Sequence, residues 1–196
     1  MNDILLREWG NLDYHDPESV LRELRKIQLK FADKEIDEKV RNLRTNLLKR
    51  PREGRAAALF CMGISKYMGE EVIFSLTESS DYDFVVCWKK DDLLNYASVQ
   101  LKELVPEQLN PNAEINDLLA KLEKYSDSNS LIVAIYLNRD FHLDCSLLDL
   151  EGLSLAGLYT FGAISKDQNK WVLHGNYLRD FQETRFEYPY SDDEDV

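Results

Sequence analysis

Three polar side chains in two strand-like segments are the residues of this chain best suited to do chemistry. Asp83 opens the apolar part of the segment 80–88, and Gln100 and Lys102 lie in the next such segment, 96–104. A spacing of two puts Gln100 and Lys102 on one face of a strand. If the two segments pair, a carboxylate, an amide oxygen and an ammonium converge. This set can hold Mg²⁺ and activate a water against a phosphodiester.

This pattern resembles the PD-(D/E)xK nuclease superfamily, in which an Asp begins the second core strand and an acid-x-Lys pair lies on the third. The resemblance covers roughly residues 52–137. Gln100 stands where the family usually has Glu or Asp, and Tyr82 replaces the Pro that usually precedes the Asp. The chain therefore resembles a variant with a D…QxK motif, and the superfamily also contains inactive members.

The resemblance implies a DNA endonuclease or phosphodiesterase that uses Mg²⁺ or Mn²⁺. Asp83 and Gln100 would then bind the metal, and Lys102 would serve the attacking water. The first helix of the family core often supplies a further Glu, which here is Glu53. Glu103 falls on the opposite face of the third strand and is not expected to substitute for Gln100 unless the strand is bulged.

The elements around the motif follow the order helix, strand, strand, strand, helix, strand. Hydrophobic periodicity and strand composition predict helices at 52–68 and 114–125 and strands at 72–77, 80–88, 96–104 and 131–137. Pro51 suits the start of the first helix and Gly69 its end. The sequence thus predicts a mixed α/β fold, a sheet flanked by helices, with a restriction-endonuclease-like core at 51–190.

The first fifty residues are predicted to form a helical hairpin packed on that core. Asp16 and Pro17 suit a helix start, and one apolar stripe follows in each of two helices, at 20–31 and 36–47. The hairpin could brace the core, contact DNA or form a homodimer surface. The acidic end, 191–196, is predicted to be a mobile tail.

The segment after residue 138 has a weaker pattern. We expect a turn at 138–140, a helix-to-strand transition at 153–164 and an edge strand at 171–174. His142 and Asp144 share a face if this segment is extended. They could be a metal or acid–base pair, although structural roles are the commoner outcome for such residues.

The formal net charge of −12 argues against a nucleic-acid-binding protein, but the charge is segregated along the chain. Residues 39–55 contain seven basic residues and one acid. We predict that Arg44, Arg50, Arg52 and Arg55 line the approach of DNA. The alternative is an acidic module without catalytic activity that binds a basic protein, as an inhibitor or immunity protein would.

Three cysteines without CxxC spacing argue against a disulfide framework and against a zinc site. Cys61 and Cys87 lie in apolar runs, which predicts small core residues, whereas Cys145 follows a polar stretch. We expect a cytoplasmic protein with no membrane segment, because the amino-terminal stretch is too acidic for a signal peptide and no apolar run is long enough to span a bilayer.

Overall fold

The computed structural model describes residues 3–30, 45–77, 79–122, 130–140 and 143–189. The helices are α1 Asp3–Trp9, α2 Pro17–Lys30, α3 Lys49–Met68 and α4 Ile115–Ala120, with 3₁₀ turns at Asn46–Leu48 and Cys145–Leu147. The strands are β1 Val72–Ser75, β2 Phe84–Lys90, β3 Leu93–Leu104, β4 Leu131–Leu137, β5 Gly157–Ala163, β6 Lys170–Gly175 and β7 Gln182–Glu187. The predicted mixed α/β class is confirmed.

In the part of the chain that the structure describes, the strands form one seven-stranded mixed sheet in sequence order. Strands β1 to β3 are antiparallel, β3 to β5 are parallel, and β5 to β7 are again antiparallel. Parallel neighbours need long connections. Helix α4 lies in the connection from β3 to β4, and the segment 138–156 connects β4 to β5.

The sheet curls around α3, because this helix contacts β1 at one edge of the sheet and β7 at the other. Small residues let the strands approach closely. A Cβ atom on Gly63 would lie 3.0 Å from the Cβ of Leu173 and 3.1 Å from the Phe186 ring. The middle of α3 is therefore buried nearly all round, from Ala56 to Cys61.

The two faces of the sheet cover different cores. The face toward α3 holds a large aromatic cluster that includes Phe60, Phe161 and Trp171. The opposite face holds a smaller aliphatic cluster under α4. Successive residues of β4 alternate between these clusters, so both faces of the strand are buried. This explains the uninterrupted apolar run at 131–137, since only a strand buried on both sides needs one.

Two sequence predictions were wrong beyond residue 150. The segment 171–174 is not an edge strand, because β6 pairs with β5 on one side and with β7 on the other. Strand β7 escaped prediction because Phe186 is its one buried side chain, which leaves no apolar alternation to detect. The segment 153–164 contains a loop and then β5, without a helix.

Two helix ends follow the predicted capping residues, whereas α3 begins at Lys49, before the predicted start at Pro51. Asp16 Oδ1 accepts a hydrogen bond of 2.7 Å from the backbone N–H of Ser19, which caps α2. Gly69 ends α3 in the left-handed region at φ 71°. A two-residue turn at Asp91 and Asp92, with φ of 50° and 62°, joins β2 to β3.

Helix α2 packs against α3, as expected for a helix that braces the core. Most of the second predicted hairpin helix, and the tail at 191–196, lie outside the described residues, so the hairpin and the mobile tail stay predictions. Among the helices that the structure describes, none is long and apolar enough to cross a lipid bilayer.

Candidate functional site

The candidate site forms where β3 extends past the beginning of β2. Phe84, the first residue of β2, pairs with Val99, so the end of β3 continues beyond this partner. Asp83 bonds to this unpaired part of β3. Its backbone N–H donates to Val99 O at 2.9 Å, and its carboxylate Oδ2 accepts from the backbone N–H of Leu101 at 2.7 Å. An acid at this strand start therefore completes the hydrogen bonding of its neighbour.

Gln100 contacts Asp83 directly, as the pairing of the two segments predicts. The Gln100 side chain is buried and donates from Nε2 to Asp83 Oδ2. The same nitrogen lies 3.5 Å from the carbonyl oxygen of Leu101. The amide nitrogen of Gln100 thus faces both the Asp83 carboxylate and the Leu101 carbonyl, whereas the sequence predicted that the amide oxygen would face a metal. A half-turn of the amide would direct its oxygen toward these two groups instead.

Next to this contact is a small cavity of about 110 Å³, which we call the notch. It lies between the end of β3 and the first turns of α3. Its lining residues are Arg52, Glu53, Ala56, Asp83, Leu101, Lys102, Glu103 and Tyr136. The notch therefore brings together Asp83, Lys102 and Glu53 from the predicted catalytic set. Gln100 does not line it and lies behind Asp83.

Residues from both faces of β3 line the notch. Lys102 pairs with Ile135 of the aliphatic cluster, and Glu103 pairs with Tyr136 of the aromatic cluster, so the two side chains start on opposite faces. Both residues line the notch, which lies where β3 extends beyond the start of β2. From the sequence, Glu103 is not expected to join the site, because it lies on the opposite face of the strand from Gln100 and Lys102. The offset between β2 and β3 places Glu103 beside the notch, and no pattern in the sequence predicts this offset.

Hydrogen bonds hold Glu103 in place. Its Oε1 accepts from Nδ2 of Asn138 at 2.6 Å, and Asn138 Oδ1 accepts from the Tyr136 hydroxyl at 3.2 Å. Glu53, on the other wall of the notch, forms an ion pair of 3.5 Å with Lys49. The notch thus combines three carboxylates, those of Glu53, Asp83 and Glu103, with two cationic side chains.

A divalent ion would need ligands beyond carboxylates here. Within the described residues, no three His, Cys, Asp or Glu side chains lie close enough together to hold a metal ion. The oxygens around Asp83 are of the kind that Mg²⁺ prefers: a carboxylate, a side-chain amide and a backbone carbonyl. Asp83 and Gln100 would fit an ion together only if the Gln100 amide turned its oxygen toward Asp83, which now accepts a hydrogen bond from the amide nitrogen.

The four arginines predicted to meet DNA have different surroundings. Arg52 lines the notch, and Arg50 is exposed near the start of α3. The guanidinium of Arg55 lies 5.5 Å and 5.6 Å from the ring centroids of Trp171 and Tyr188. Arg55 also donates to Gln168 Oε1 at 3.0 Å, so it is part of an aromatic stack. Arg44 lies outside the described residues.

The other polar residues and the cysteines singled out from the sequence differ in their local contacts and burial. Asp144 Oδ1 accepts from the backbone N–H of Ser146 at 3.0 Å and caps a 3₁₀ turn, whereas His142 lies outside the described residues. Cys61 and Cys87 are buried, as predicted for core residues, and Cys145 is exposed. Burial raises the pKa of the Cys61 thiol well above its usual range, which keeps it protonated and unreactive.

Comparisons with protein-family models, with curated proteins and with solved structures found no match to this chain. A functional assignment therefore depends on the element order and on the geometry of the notch. Both concern the region from α3 to β4, which contains every lining residue of the notch.

Proposed function

We propose that this protein is a metal-dependent phosphodiesterase of the PD-(D/E)xK type that acts on DNA. The observation that carries the proposal is the convergence of Asp83, Lys102 and Glu53 on one notch, with Gln100 bonded to Asp83. These residues come from three separate elements. The order α3, β1, β2, β3, α4, β4 supports the proposal because it is the order that the resemblance implies.

Each residue has a role that follows from its chemistry. Asp83 would hold the metal through its carboxylate, and Gln100 would hold it through its amide oxygen after a half-turn of the amide, with the Leu101 carbonyl next to them. A bound Mg²⁺ or Mn²⁺ ion supplies a Lewis acid and a more acidic water. Lys102 orients the water and stabilises the negative charge that develops on the phosphate. Glu53 supplies a carboxylate on the α3 side, where it can accept a hydrogen bond from the water.

Gln100 weakens metal binding relative to the usual acid. A neutral amide adds no negative charge to the ligand set, and the affinity of oxygen sites for divalent ions rises with ligand charge. Glu103 adds a negative charge near Asp83, because both residues line the notch. The protein should therefore need higher metal concentrations for activity than an enzyme whose site has two carboxylate ligands.

DNA would reach the notch past Arg50 and Arg52, which begin α3. The net charge of −12 opposes nonspecific attraction to DNA and favours the second candidate, an acidic module that binds a basic protein. The two candidates differ in one observable property. The phosphodiesterase consumes DNA in the presence of metal, whereas the binding module forms a stable complex with a basic protein.

The test is cleavage of single-stranded, duplex and branched DNA with Mg²⁺ or Mn²⁺. We expect the wild type to cut, and Lys102→Ala to lower the rate by about 100-fold or more, because it removes charge stabilisation from the transition state. Lys66→Ala is the matched control, since it removes an exposed lysine from the other end of α3. Its rate should equal that of the wild type.

Two results would end the catalytic proposal. One is a wild type that is inert with both metals, together with an equally inert Gln100→Glu variant on all three forms of DNA. The other is equal loss of activity in Lys102→Ala and Lys66→Ala, which would place the chemistry away from the notch. If the wild type and Gln100→Glu are both inert, a stable complex with a basic protein would support the binding module.

A further inference from the structure

A second cavity lies beside the notch, at the carboxyl ends of the parallel strands. Strands β3, β4 and β5 end at Leu104, Leu137 and Ala163. The residues that follow these ends line a groove of about 630 Å³. In sheets with parallel strands, ligands bind at the carboxyl ends of the strands. We call this cavity the strand-end groove; its lining comes from 106–108, 136–140, 163–166 and Gln168.

The strand-end groove adjoins the notch. Tyr136 lines both cavities. Glu103 of the notch accepts its 2.6 Å hydrogen bond from Asn138, which lines the groove. A molecule with a phosphate in the notch would therefore have its neighbouring atoms at the entrance to the groove.

One wall of the groove is held in a fixed position by Arg139. Its Nε donates to Val105 O at 2.7 Å, its Nη2 to Asn110 O at 2.7 Å and its Nη1 to Ala113 O at 3.3 Å. These bonds tie the loop 105–113 to the end of β4. A wall fixed before a ligand arrives lowers the ordering cost of binding.

The opposite wall is the turn between β5 and β6. Asp167 accepts from the backbone N–H of Asn169 at 3.1 Å and from its side chain at 3.0 Å. Gln168 is bonded to Arg55 of α3. Lys166 is exposed on this turn and supplies a cation to the groove.

The size and composition of the groove select its ligand. A pocket of this volume encloses one ligand of drug-like size, which admits an unpaired nucleotide and excludes a base-paired duplex. The charges of Glu107 and Asp140 offset those of Arg139 and Lys166, so the groove has no net charge, and the exposed Lys166 is its contact for a backbone phosphate. Its amide and apolar groups suit the edges and faces of bases.

We propose that the strand-end groove binds unpaired nucleotides next to the phosphate in the notch, which makes single-stranded DNA the preferred substrate. This proposal rests on the proposed function, because the notch supplies the phosphate site. It assigns the fixed loop 105–113 and the turn carrying Lys166 as the two sides of a single-strand channel.

The test is fluorescence anisotropy with a labelled single-stranded oligothymidylate and with a duplex of equal length. The Lys102→Ala background with Mg²⁺ keeps the DNA intact. We expect the single strand to bind more tightly than the duplex. Lys166→Glu should weaken that binding about fivefold or more by opposing the backbone charge. Ala163→Phe should also weaken it, because the ring occupies the groove.

Lys90→Glu is the control, since it makes the same charge change at the end of β2, away from the groove. It should change affinity by less than about twofold. Thermal melting checks that all variants are folded. Equal effects of Lys166→Glu and Lys90→Glu, a duplex that binds as tightly as the single strand, or no binding at all would each overturn the groove proposal.

The results also separate this proposal from the proposed function. Single-strand binding that depends on Lys166, in a protein that never cuts DNA with either metal, would retain the groove and reject the phosphodiesterase. Cleavage that depends on Lys102, with Lys166→Glu no different from Lys90→Glu, would retain the phosphodiesterase and reject the groove.

Discussion

The two ends of α3 adjoin cavities of very different size. The notch at its amino-terminal end has a volume of about 110 Å³, whereas a cavity at its carboxyl-terminal end has about 1030 Å³. The large cavity lies between α2, the end of α3 and the strands β1, β6 and β7. Both contain charged residues of both signs. The large one includes Asp16, Glu71, Lys66, Lys170 and Arg185.

The charged residues of the two cavities differ in burial. Those of the notch, Arg52, Glu53, Asp83, Lys102 and Glu103, are all half-buried. Of the eight charged residues that line the large cavity, six are exposed and two, Glu18 and Glu70, are half-buried. Charges interact more strongly when they are withdrawn from water, and functional sites concentrate such groups. Volume alone would favour the large cavity as the candidate site, whereas the burial of charge favours the notch.

The largest difference between the two cavities is expected in the loss of stability when an aspartate of each is replaced by alanine. Asp83→Ala leaves two donors without their acceptor, Leu101 N–H and Gln100 Nε2, and should lower the free energy of unfolding by about 3 kcal/mol. Asp16→Ala, in the large cavity, removes a helix cap and should cost about 1 kcal/mol. Urea denaturation measures both. Equal losses would contradict the distinction between the cavities.

The Gln100→Glu variant tests whether a metal ion binds beside Asp83. Without metal, the new carboxylate meets Asp83 and replaces a donor by a charge, so we expect a loss of about 2 kcal/mol. Mn²⁺ should restore the lost stability by binding between the two carboxylates. The melting temperature of the variant, measured with Mn²⁺ and with a chelator, tests this expectation.

A matched control for that variant is Glu71→Gln in the large cavity, whose melting should not respond to Mn²⁺. A melting shift with Mn²⁺ that is the same for the wild type and Gln100→Glu would show that no metal binds beside Asp83.

The smallest effect concerns two arginines three residues apart on α3. Arg52→Ala should reduce the salt dependence of DNA binding by about 0.9 in the log–log slope, as expected for one lost phosphate contact. Arg55→Ala should leave the slope unchanged and lower stability by about 1 kcal/mol, because it removes a cation from the faces of Trp171 and Tyr188. Gel-shift titrations and urea denaturation separate the two. Equal slope changes would show that Arg55 leaves its stack to meet DNA.

Much of the region from α3 to β4 could be predicted from the sequence, because its signals are local. The cap at Gly69, the alternation in β1 and the apolar run of β4 each depend on a few consecutive residues. Strand β7 could not be predicted in this way, since five of its six side chains are at least partly exposed and its place is set by pairing with β6. The position of β6 inside the sheet was misjudged for the same reason.

The sequence alone determined that Asp83, just before β2, lies beside Gln100 and Lys102 of β3, because strand periodicity and a short connection specify the pairing of the two segments. Tertiary structure decided which other residues join them. The offset between β2 and β3 places Glu103 beside the same notch as Lys102, and the curl of the sheet around α3 brings Glu53 and Arg52 to it while Arg55 is drawn against Trp171. These relations depend on strand length and sheet curvature, which arise from packing over the whole sheet and leave no local pattern in the chain.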